Sequence, residues 1–321
     1  MTSPSSLDPG LYELLVTTGL RDLLERTEAG GFTSVTTEVD SADVAHVLTQ
    51  HLSDVLGQAL AAMPHEQQIA LANQVLQYLP ESESTAPVAA GPRMLTSISQ
   101  PHASVLPRPS TPLSDVALFT NSRMDPQLGS ELRLEMASAD RIDLLCAFVQ
   151  WSGIRVLEDA LRAAAERGVT IRVLTTTYIG ATDRKALDYF VRALNAEVRV
   201  NYDAKSTHLH AKAWMFHRNS GYTTAYVGSS NMSRAALVDG LEWNVRLSRQ
   251  ATPSLLDKFE STFDTYWDDA AFAPYDPDTD AEYLDALLAQ NSGRGTPSSF
   301  DVSLDVSSGW WAGAFGVVAG V

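Results

Sequence analysis

Apolar side chains at helical spacing mark the first part of the chain. Leucines between Leu11 and Leu24 recur every three or four positions until Gly30-Gly31 interrupts the pattern. Ser41 is a suitable N-cap for a second helix, and a third helical pattern follows. We therefore predict a small helical domain over residues 1–85. The stretch 86–112, rich in Ser, Pro and Ala, is predicted to be a linker.

The middle of the chain alternates between strand and helix patterns. Two helical patterns separate three apolar runs of strand length, which are 142–149, 169–174 and 197–202. This βαβαβ order predicts parallel strands with helices on both faces. Three more strand patterns follow, at 209–216, 223–227 and 242–247. We predict an α/β domain over residues 113–270, with a mixed, mostly parallel sheet flanked by helices.

The last part of the chain has one clear amphipathic helix, over residues 254–267. The remaining segment, 271–321, is rich first in Asp and then in Ser and Gly. We predict that this segment is exposed and partly flexible. Its apolar end, 309–321, is too short to span a bilayer.

The distribution of charge along the chain bears on whether nucleic acid can be a partner. The 321 residues carry a net charge of −16, which argues against nucleic acid as a partner. The charge is uneven, however: residues 1–85 carry −10, residues 86–250 carry +4 and residues 251–321 carry −10. The basic segment is the predicted α/β domain, so nucleic acid stays possible there.

Cysteine content and apolar run lengths limit the class of protein. The only cysteine, Cys146, excludes a disulfide framework and is predicted to be a buried core thiol. No run of residues is long and apolar enough for a membrane helix, and the first residues do not resemble a signal peptide. We therefore expect a cytoplasmic protein that does not enter membranes.

One group of residues suggests chemistry. On a strand, His210 and Lys212 point to the same face, about 7 Å apart along the chain. An imidazole can act as a nucleophile or a proton carrier, and a neighbouring ammonium can hold an anion. The turn from Gly228 to Asn231 adds the Ser229 hydroxyl and an amide, which bind phosphate well, and Glu242 is expected to hydrogen-bond His210. A histidine on a strand more often has a structural role. The case for a catalytic role of His210 and Lys212 therefore depends on the turn from Gly228 to Asn231 and on Glu242.

These residues resemble a known family. His210-x-Lys212, Gly228-Ser229-x-Asn231 and Glu242 resemble the signature of the phospholipase D superfamily. The segments 175–182 and 228–247 further resemble the nuclease-like region at the N-terminus of bacterial superfamily 2 helicases that are linked to restriction and defence against foreign DNA.

The resemblance implies an activity. It would be metal-independent hydrolysis of phosphodiester bonds in DNA through a phosphohistidine on His210. Lys212, Asn231 and Ser229 would neutralise the phosphate oxygens, Glu242 would orient His210, and no metal or other cofactor would be needed. Several basic residues could line a path for the DNA phosphates: Arg199, Lys205, Arg218, Arg234, Arg246 and Arg249. The alternatives are a phospholipase-type phosphodiesterase and a catalytically weak DNA-binding or partner-docking module.

The sequence also departs from the superfamily pattern. The fuller motif has an Asp where this chain has His217. Only one His-x-Lys pair is present, and because members of the superfamily build one site from two motifs, the resemblance implies a homodimer. The chain has no phosphate-binding loop of a helicase, and residues 301–321 do not resemble the family. We therefore expect a truncated or standalone nuclease module that has a possible helicase partner.

Overall fold

The computed structural model describes residues 7–98, 107–122, 125–203 and 209–292. The chain divides into two compact units, Met1–Ile98 and Ser99–Val321. The predicted tail segment 309–321 and the departing segment 301–321 lie outside the described residues, as does Lys205. No helix in the described part of the chain is long and apolar enough to cross a membrane.

The first unit contains the predicted helices. They are α1 (Thr18–Ala29), α2 (Val44–Ala61) and α3 (His65–Leu76). The side chain of Thr17 caps α1 by accepting a hydrogen bond from the Leu20 amide. Thr27 is the only buried side chain among the residues described in this unit. The helices are therefore confirmed, but their apolar faces do not form a packed core within the described part of the unit.

The second unit is built on an eight-stranded sheet. Its strands are β1 (Ala117–Phe119), β2 (Arg141–Cys146), β3 (Thr170–Thr176), β4 (Glu197–Asn201), β5 (Lys212–His217), β6 (Thr224–Gly228), β7 (Asn244–Ser248) and β8 (Phe272–Pro274). Their order across the sheet is β1-β7-β6-β5-β2-β3-β4-β8. The helices are α4 (Leu128–Ser138), α5 (Trp151–Glu166), α6 (Arg184–Leu194), α7 (Pro253–Asp268) and α8 (Ala281–Ser292).

The mixed α/β class with flanking helices is confirmed. Among the described strands, the parallel ladders are β2–β3 and β3–β4, and the other ladders are antiparallel. The parallel part of the sheet is thus smaller than the sequence predicts. One reason is that β5 and β6 are joined by only six residues, which permits only antiparallel pairing.

The two faces of the sheet are covered differently. Side chains of α4, α5, α6 and α8 pack on one face around Leu144, Val173 and Phe216. On the other face, α7 packs through Leu256 against Met215 and through Phe263 against Ala213 and its neighbours. The continuous apolar character of β2 and β3 reflects this burial on both faces.

Helix α8 lies where the sequence predicts an exposed tail. Leu284 and Leu288 are buried, so this part of the tail belongs to the folded unit. Gly180 makes the contact possible, because it has a φ of +65° and a side chain there would lie 2.4 Å from the Leu288 carbonyl oxygen. The segment is rich in acidic residues, so its sequence did not indicate that Leu284 and Leu288 are buried.

Candidate active site

Four strand ends meet at one end of the sheet, which we call the site end. Here β2 finishes at Cys146 opposite the first residue of β5, Lys212. Here also β6 finishes at Gly228 opposite the first residue of β7, Asn244. His210 lies two residues before the start of β5, so it lies at the same end. The antiparallel hairpins therefore bring together residues that lie far apart in the sequence.

His210 and Lys212 are in direct contact. The Lys212 ammonium lies 2.8 Å from His210 Nδ1 and 3.3 Å from Nε2, and it donates a hydrogen bond to the His210 carbonyl at 2.8 Å. His210 is exposed, whereas Lys212 is only 7% exposed. The edge of the His210 ring faces the Phe148 ring, with centroids 5.9 Å apart. The exposed imidazole thus rests on a buried cation and an aromatic ring.

The turn after β6 is tightly constrained. A side chain at Gly228 would lie 2.2 Å from the Trp243 carbonyl oxygen, so only glycine permits this approach of β6 to β7. Ser229 then pairs with Trp243: its amide donates to the Trp243 carbonyl at 3.0 Å, and its hydroxyl accepts from the Trp243 amide at 3.1 Å. The neighbouring Ser230 is buried and accepts from the Asn244 side chain at 2.8 Å.

Asn231 and Met232 join this turn to the end of β2. The Met232 amide donates to the Phe148 carbonyl at 3.2 Å, and Gly153 in α5 leaves room for the Met232 backbone. Asn231 Oδ1 is buried and has no hydrogen-bond partner within the described residues. A buried amide oxygen without a partner is unusual, and a catalytic or binding role is one explanation for it.

Glu242 has a different partner from the one predicted. The carboxylate accepts a hydrogen bond from the Ser229 hydroxyl, and the described residues show no hydrogen bond between Glu242 and His210. The predicted pairing is therefore wrong in this structure. The reason is local: the Ser229–Trp243 pairing places Ser229 beside Glu242. The negative charge of Glu242 acts on Lys212 instead and favours its ammonium form.

The electrostatics of the site favour a neutral imidazole. Partial burial and the Lys212 ammonium lower the pKa of His210 below its ordinary value. Burial likewise lowers the pKa of Lys212, while Cys146 and Glu242 partly oppose the shift. Burial raises the pKa of Cys146 to about 11, so the thiol stays protonated, as expected for a core thiol. A neutral histidine can act as a nucleophile.

The family model described as "Cardiolipin synthase, PLD-like domain" matches residues 133–267. The match covers less than half of the chain and falls within the second unit. All five residues predicted for the site lie within it: His210, Lys212, Ser229, Asn231 and Glu242. No curated protein matches the chain.

Among the solved structures that resemble the chain are NucT, Nuc and a phosphatidylserine synthase. NucT from Helicobacter pylori has a TM-score of 0.39 and 15% identity, over 50% of this chain and 99% of NucT. Nuc from Salmonella typhimurium, a phospholipase D family member, has a TM-score of 0.37 and 20% identity, over 50% of this chain and 97% of Nuc. Phosphatidylserine synthase from Haemophilus influenzae has a TM-score of 0.37 and 9% identity, over 56% of this chain and 45% of the synthase.

The predicted path of basic residues is largely wrong for the phospholipase D-like domain. Arg246 is fully buried and Arg218 nearly so, and both pair with the buried carboxylate of Glu135. Arg199 lies over the Trp267 ring, and Arg249 pairs with two carboxylates of α7. Arg234 alone among the described members of the set has a side chain that is mostly exposed, at 65%, and it pairs with Asp239. The sequence shows that these residues are charged but not that they are buried. An arginine on a strand can be the counter-ion of a carboxylate in the core, as Arg218 and Arg246 are here.

His217, which replaces the Asp of the fuller motif, lies at the opposite end of β5. Its Nε2 is 2.7 Å from an oxygen of Asp143, and the Arg141 guanidinium is 2.8 Å from the same nitrogen. Asp143 also accepts two hydrogen bonds from Arg172. His217 therefore links β5 to β2 through the Asp143 carboxylate.

A cavity of about 310 Å³ opens beside the imidazole. Its lining comprises Asn201, Leu209, His210, Ala211, Tyr266, Asp269, Ala271 and Phe272. The sequence analysis above names only His210 among these residues. Phe148 was missed as well, because an aromatic residue within an apolar strand run carries no sign that it touches the site.

Proposed function

We propose that the phospholipase D-like domain hydrolyses phosphodiester bonds in DNA without a metal ion, through a phosphohistidine on His210. The observation that carries the proposal is the buried Lys212 ammonium at 2.8 Å from an exposed imidazole. No carboxylate among the described residues forms an ion pair with Lys212, so its charge is available to an anion at the imidazole. DNA as the substrate is supported by the sequence resemblance.

The reaction runs in two steps. A nitrogen of neutral His210 attacks phosphorus, the new N–P bond forms, and the bond to the leaving oxygen breaks. A second acid gives a proton to that oxygen. Water then attacks the phosphohistidine, the N–P bond breaks, and the group that gave its proton in the first step takes one from the water.

The other residues stabilise the negative charge that develops on phosphate. Lys212 lies at the imidazole, and Asn231 lies on the adjoining turn, where its side-chain amide would donate to a phosphate oxygen. The Ser229 hydroxyl would do the same only after it releases the Glu242 carboxylate. Glu242 holds the Ser229 hydroxyl and offsets part of the positive charge of Lys212. In this scheme Glu242 is a positioning residue for Ser229, not for His210.

We further propose that the domain works as a homodimer, in which His210 of a second copy is the acid of the first step. A role in restriction or phage defence, with a helicase as partner, is proposed from the sequence resemblance of segments 175–182 and 228–247.

A nuclease assay in excess chelator tests the activity. We expect DNA cleavage to persist in EDTA and to fall by roughly 10³-fold or more in His210→Ala. His46→Ala is the matched control, because His46 is an exposed histidine outside the domain. Cleavage that requires magnesium, or that survives His210→Ala, would refute the mechanism.

A trapping experiment separates the enzyme from a binding module. Rapid denaturation during turnover of ³²P-labelled DNA should leave an acid-labile label on the wild-type chain and none on His210→Ala. DNA binding with neither label nor turnover would favour the docking module. Turnover of phospholipid vesicles but not of DNA would favour the phospholipase alternative.

A further inference from the structure

The cavity beside His210 lies where β4, β8 and the end of α7 meet. Strand β4 runs parallel to β3, and β3 runs parallel to β2, so the last residue of β4, Asn201, lies at the site end of the sheet. Phe272 is in register with Asn201 across β4 and β8, so the two side chains share a face. Phe272 packs in one cluster with Trp267 of α7, which identifies this face as the one that α7 covers. The cavity of about 310 Å³ is thus bounded by the sheet, by the end of α7 and by the imidazole.

Asn201 brings an unpartnered donor to this cavity. The residue is fully buried, and its Oδ1 accepts a hydrogen bond from the Asp203 amide at 2.9 Å. That bond fixes the orientation of the side-chain amide, and among the described residues the buried Nδ2 has no hydrogen-bond partner. A buried donor without an acceptor costs free energy, so native structures rarely leave one unpaired. Because Asn201 lines the cavity, an acceptor bound there would supply the missing partner.

Aromatic rings form part of the cavity wall. Tyr266 and Phe272 both line the cavity, and their rings stack with centroids 6.1 Å apart and an angle of 24° between the planes. Phe272 is buried, whereas Tyr266 is 37% exposed, so the tyrosine presents ring surface to a ligand. Proteins that bind single nucleic-acid strands stack bases on such rings. The wall therefore suits a flat ring system.

The charges at the cavity do not suit a second phosphate. Asp269, at the end of α7, is exposed, and one of its carboxylate oxygens accepts a hydrogen bond from the Ala271 amide at 2.9 Å. Apart from His210, no described residue of the lining is basic. A carboxylate repels an anion and accepts hydrogen bonds from N–H donors. The cavity therefore suits an uncharged, flat group that carries both a hydrogen-bond acceptor and an N–H donor.

We propose that this cavity is a subsite for one nucleobase, next to the phosphodiester at His210, and that it prefers a base with an exocyclic amino group. The inference rests on the proposed function, which places a DNA phosphate at the imidazole, so that the base of an adjoining nucleotide reaches the cavity. An acceptor of the base pairs with Asn201, the amino group donates to Asp269, and the ring stacks on Tyr266. The volume lies at the lower end of the range for ligand sites, roughly 300–1,000 Å³, which suits a single base. Asn201, Tyr266 and Asp269 are thereby assigned as specificity-determining residues.

Cytosine and uracil form a matched pair of probes. Cytosine carries an amino group where uracil carries a carbonyl oxygen, so cytosine donates to Asp269 and uracil is repelled by it. Saturation-transfer-difference NMR of the full chain with millimolar deoxycytidine or deoxyuridine measures the contact. We expect transfer to deoxycytidine, stronger at its base protons than at its sugar protons, and several-fold weaker transfer to deoxyuridine. Neither nucleoside contains a phosphodiester, so the result does not depend on cleavage.

Two variants with matched controls identify the groups that recognise the base. Tyr266→Leu should remove most of the transfer, whereas Tyr222→Leu should keep it, because Tyr222 is 42% exposed and lies outside the cavity. Asp269→Asn should bind both nucleosides and lose the preference for deoxycytidine. Asp268→Asn should retain the preference, since Asp268 is an exposed neighbour that does not line the cavity.

Asn201→Leu tests the unpartnered donor. We expect the variant to bind deoxycytidine roughly 10-fold more weakly, since the hydrogen bond to the base is lost. Circular dichroism and the midpoint of thermal unfolding show whether each variant is folded. If Asn201 served only to hold the Asp203 amide, the folded variant would unfold at a lower temperature and bind deoxycytidine as before. That result would overturn the subsite, as would equal transfer to the two nucleosides, no transfer to deoxycytidine, or transfer that survives Tyr266→Leu.

Cleavage assays separate the subsite from the proposed function. On single-stranded oligonucleotides of deoxycytidine or deoxyuridine, kcat/KM should be about 10-fold higher for deoxycytidine, and Asp269→Asn should remove the difference. A chain that shows the expected nucleoside pattern but cleaves neither oligonucleotide would support the subsite and refute the activity. A chain that cleaves both equally and binds neither nucleoside would refute the subsite and leave the activity standing.

Discussion

The two ends of strand β5 carry charges in opposite ways. At the far end, His217 contacts Asp143, and the next residue, Arg218, pairs with Glu135. At the site end, Lys212 is also buried, but its described contacts are to His210 alone. The charges of the far end are matched by directly bonded opposite charges. The ammonium of the site end is hydrogen-bonded only to a weakly basic ring and a carbonyl, and Glu242 acts on it without forming an ion pair.

This difference shows how similar residue types can have a structural role at one end of β5 and a chemical role at the other. Burying an ion costs free energy unless a partner offsets the cost. At the far end Asp143 and Glu135 supply that partner, so the cations there hold strands together. At the site end the cost is offset only in part, which leaves an attraction for an anionic substrate.

The largest expected effect comes from removing the buried Glu135 carboxylate, which pairs with the arginines of the far end. Glu135 is fully buried and pairs with Arg218 and Arg246, while the Tyr226 hydroxyl donates to it at 3.0 Å. Burial alone would raise the pKa of Glu135, but the two arginines outweigh burial and hold the pKa below its ordinary value. Glu135→Ala leaves two buried cations unpaired, and we expect the free energy of unfolding to fall by about 3–5 kcal/mol. Chemical denaturation measures this loss.

An exposed ion pair provides the control for that experiment. Arg192 and Asp278 pair at 2.6 Å, but their side chains are 58% and 78% exposed. Solvent screens such a pair, so Asp278→Ala should hardly move the unfolding midpoint. Equal losses in the two variants would show that burial does not decide the role of these charges, and the comparison of the two ends would fail.

At the site end, the same kind of substitution should change activity instead of stability. Lys212→Met keeps the length of the side chain and removes a buried cation that forms no ion pair with a described carboxylate. We expect kcat for DNA cleavage to fall by roughly 10²–10³-fold, the usual cost of losing one group that stabilises transition-state charge. The unfolding midpoint should change little. A variant that unfolds readily but keeps its activity when folded would reverse the roles assigned to the two ends.

Much of the site end was predictable from the sequence because its signals are local. His210 and Lys212 are two residues apart, and Gly228, Ser229 and Asn231 form a single turn. Because side chains alternate between the two faces of a strand, residues two positions apart lie on the same face. The placement of these residues at one end of a mixed sheet follows from the strand patterns that surround them.

The far end was not predictable, because its contacts join distant parts of the chain. Glu135 and Arg246 lie 111 residues apart, and nothing in the local pattern marks either as a core ion. The arginines therefore looked like DNA-contacting residues. Glu242 was misplaced for a related reason: its partner is fixed by the backbone pairing of Ser229 with Trp243, which no side-chain motif encodes.

The smallest effect that we predict is a shift in pH dependence at the site end. Partial burial and the Lys212 charge lower the pKa of His210, so the imidazole stays neutral, and able to attack, at a lower pH than an ordinary histidine. Removing the charge in Lys212→Met stabilises the imidazolium and raises the pKa of His210. The acid limb of kcat/KM should therefore move to higher pH, and the ring resonances of His210 should titrate at higher pH in NMR spectra. Lys185→Met is the control, because Lys185 lies over the Trp151 ring and has no described contact with His210. If neither the acid limb nor the titration moves in Lys212→Met, the ammonium does not act on the imidazole, and the contrast between the two ends of β5 would concern packing alone.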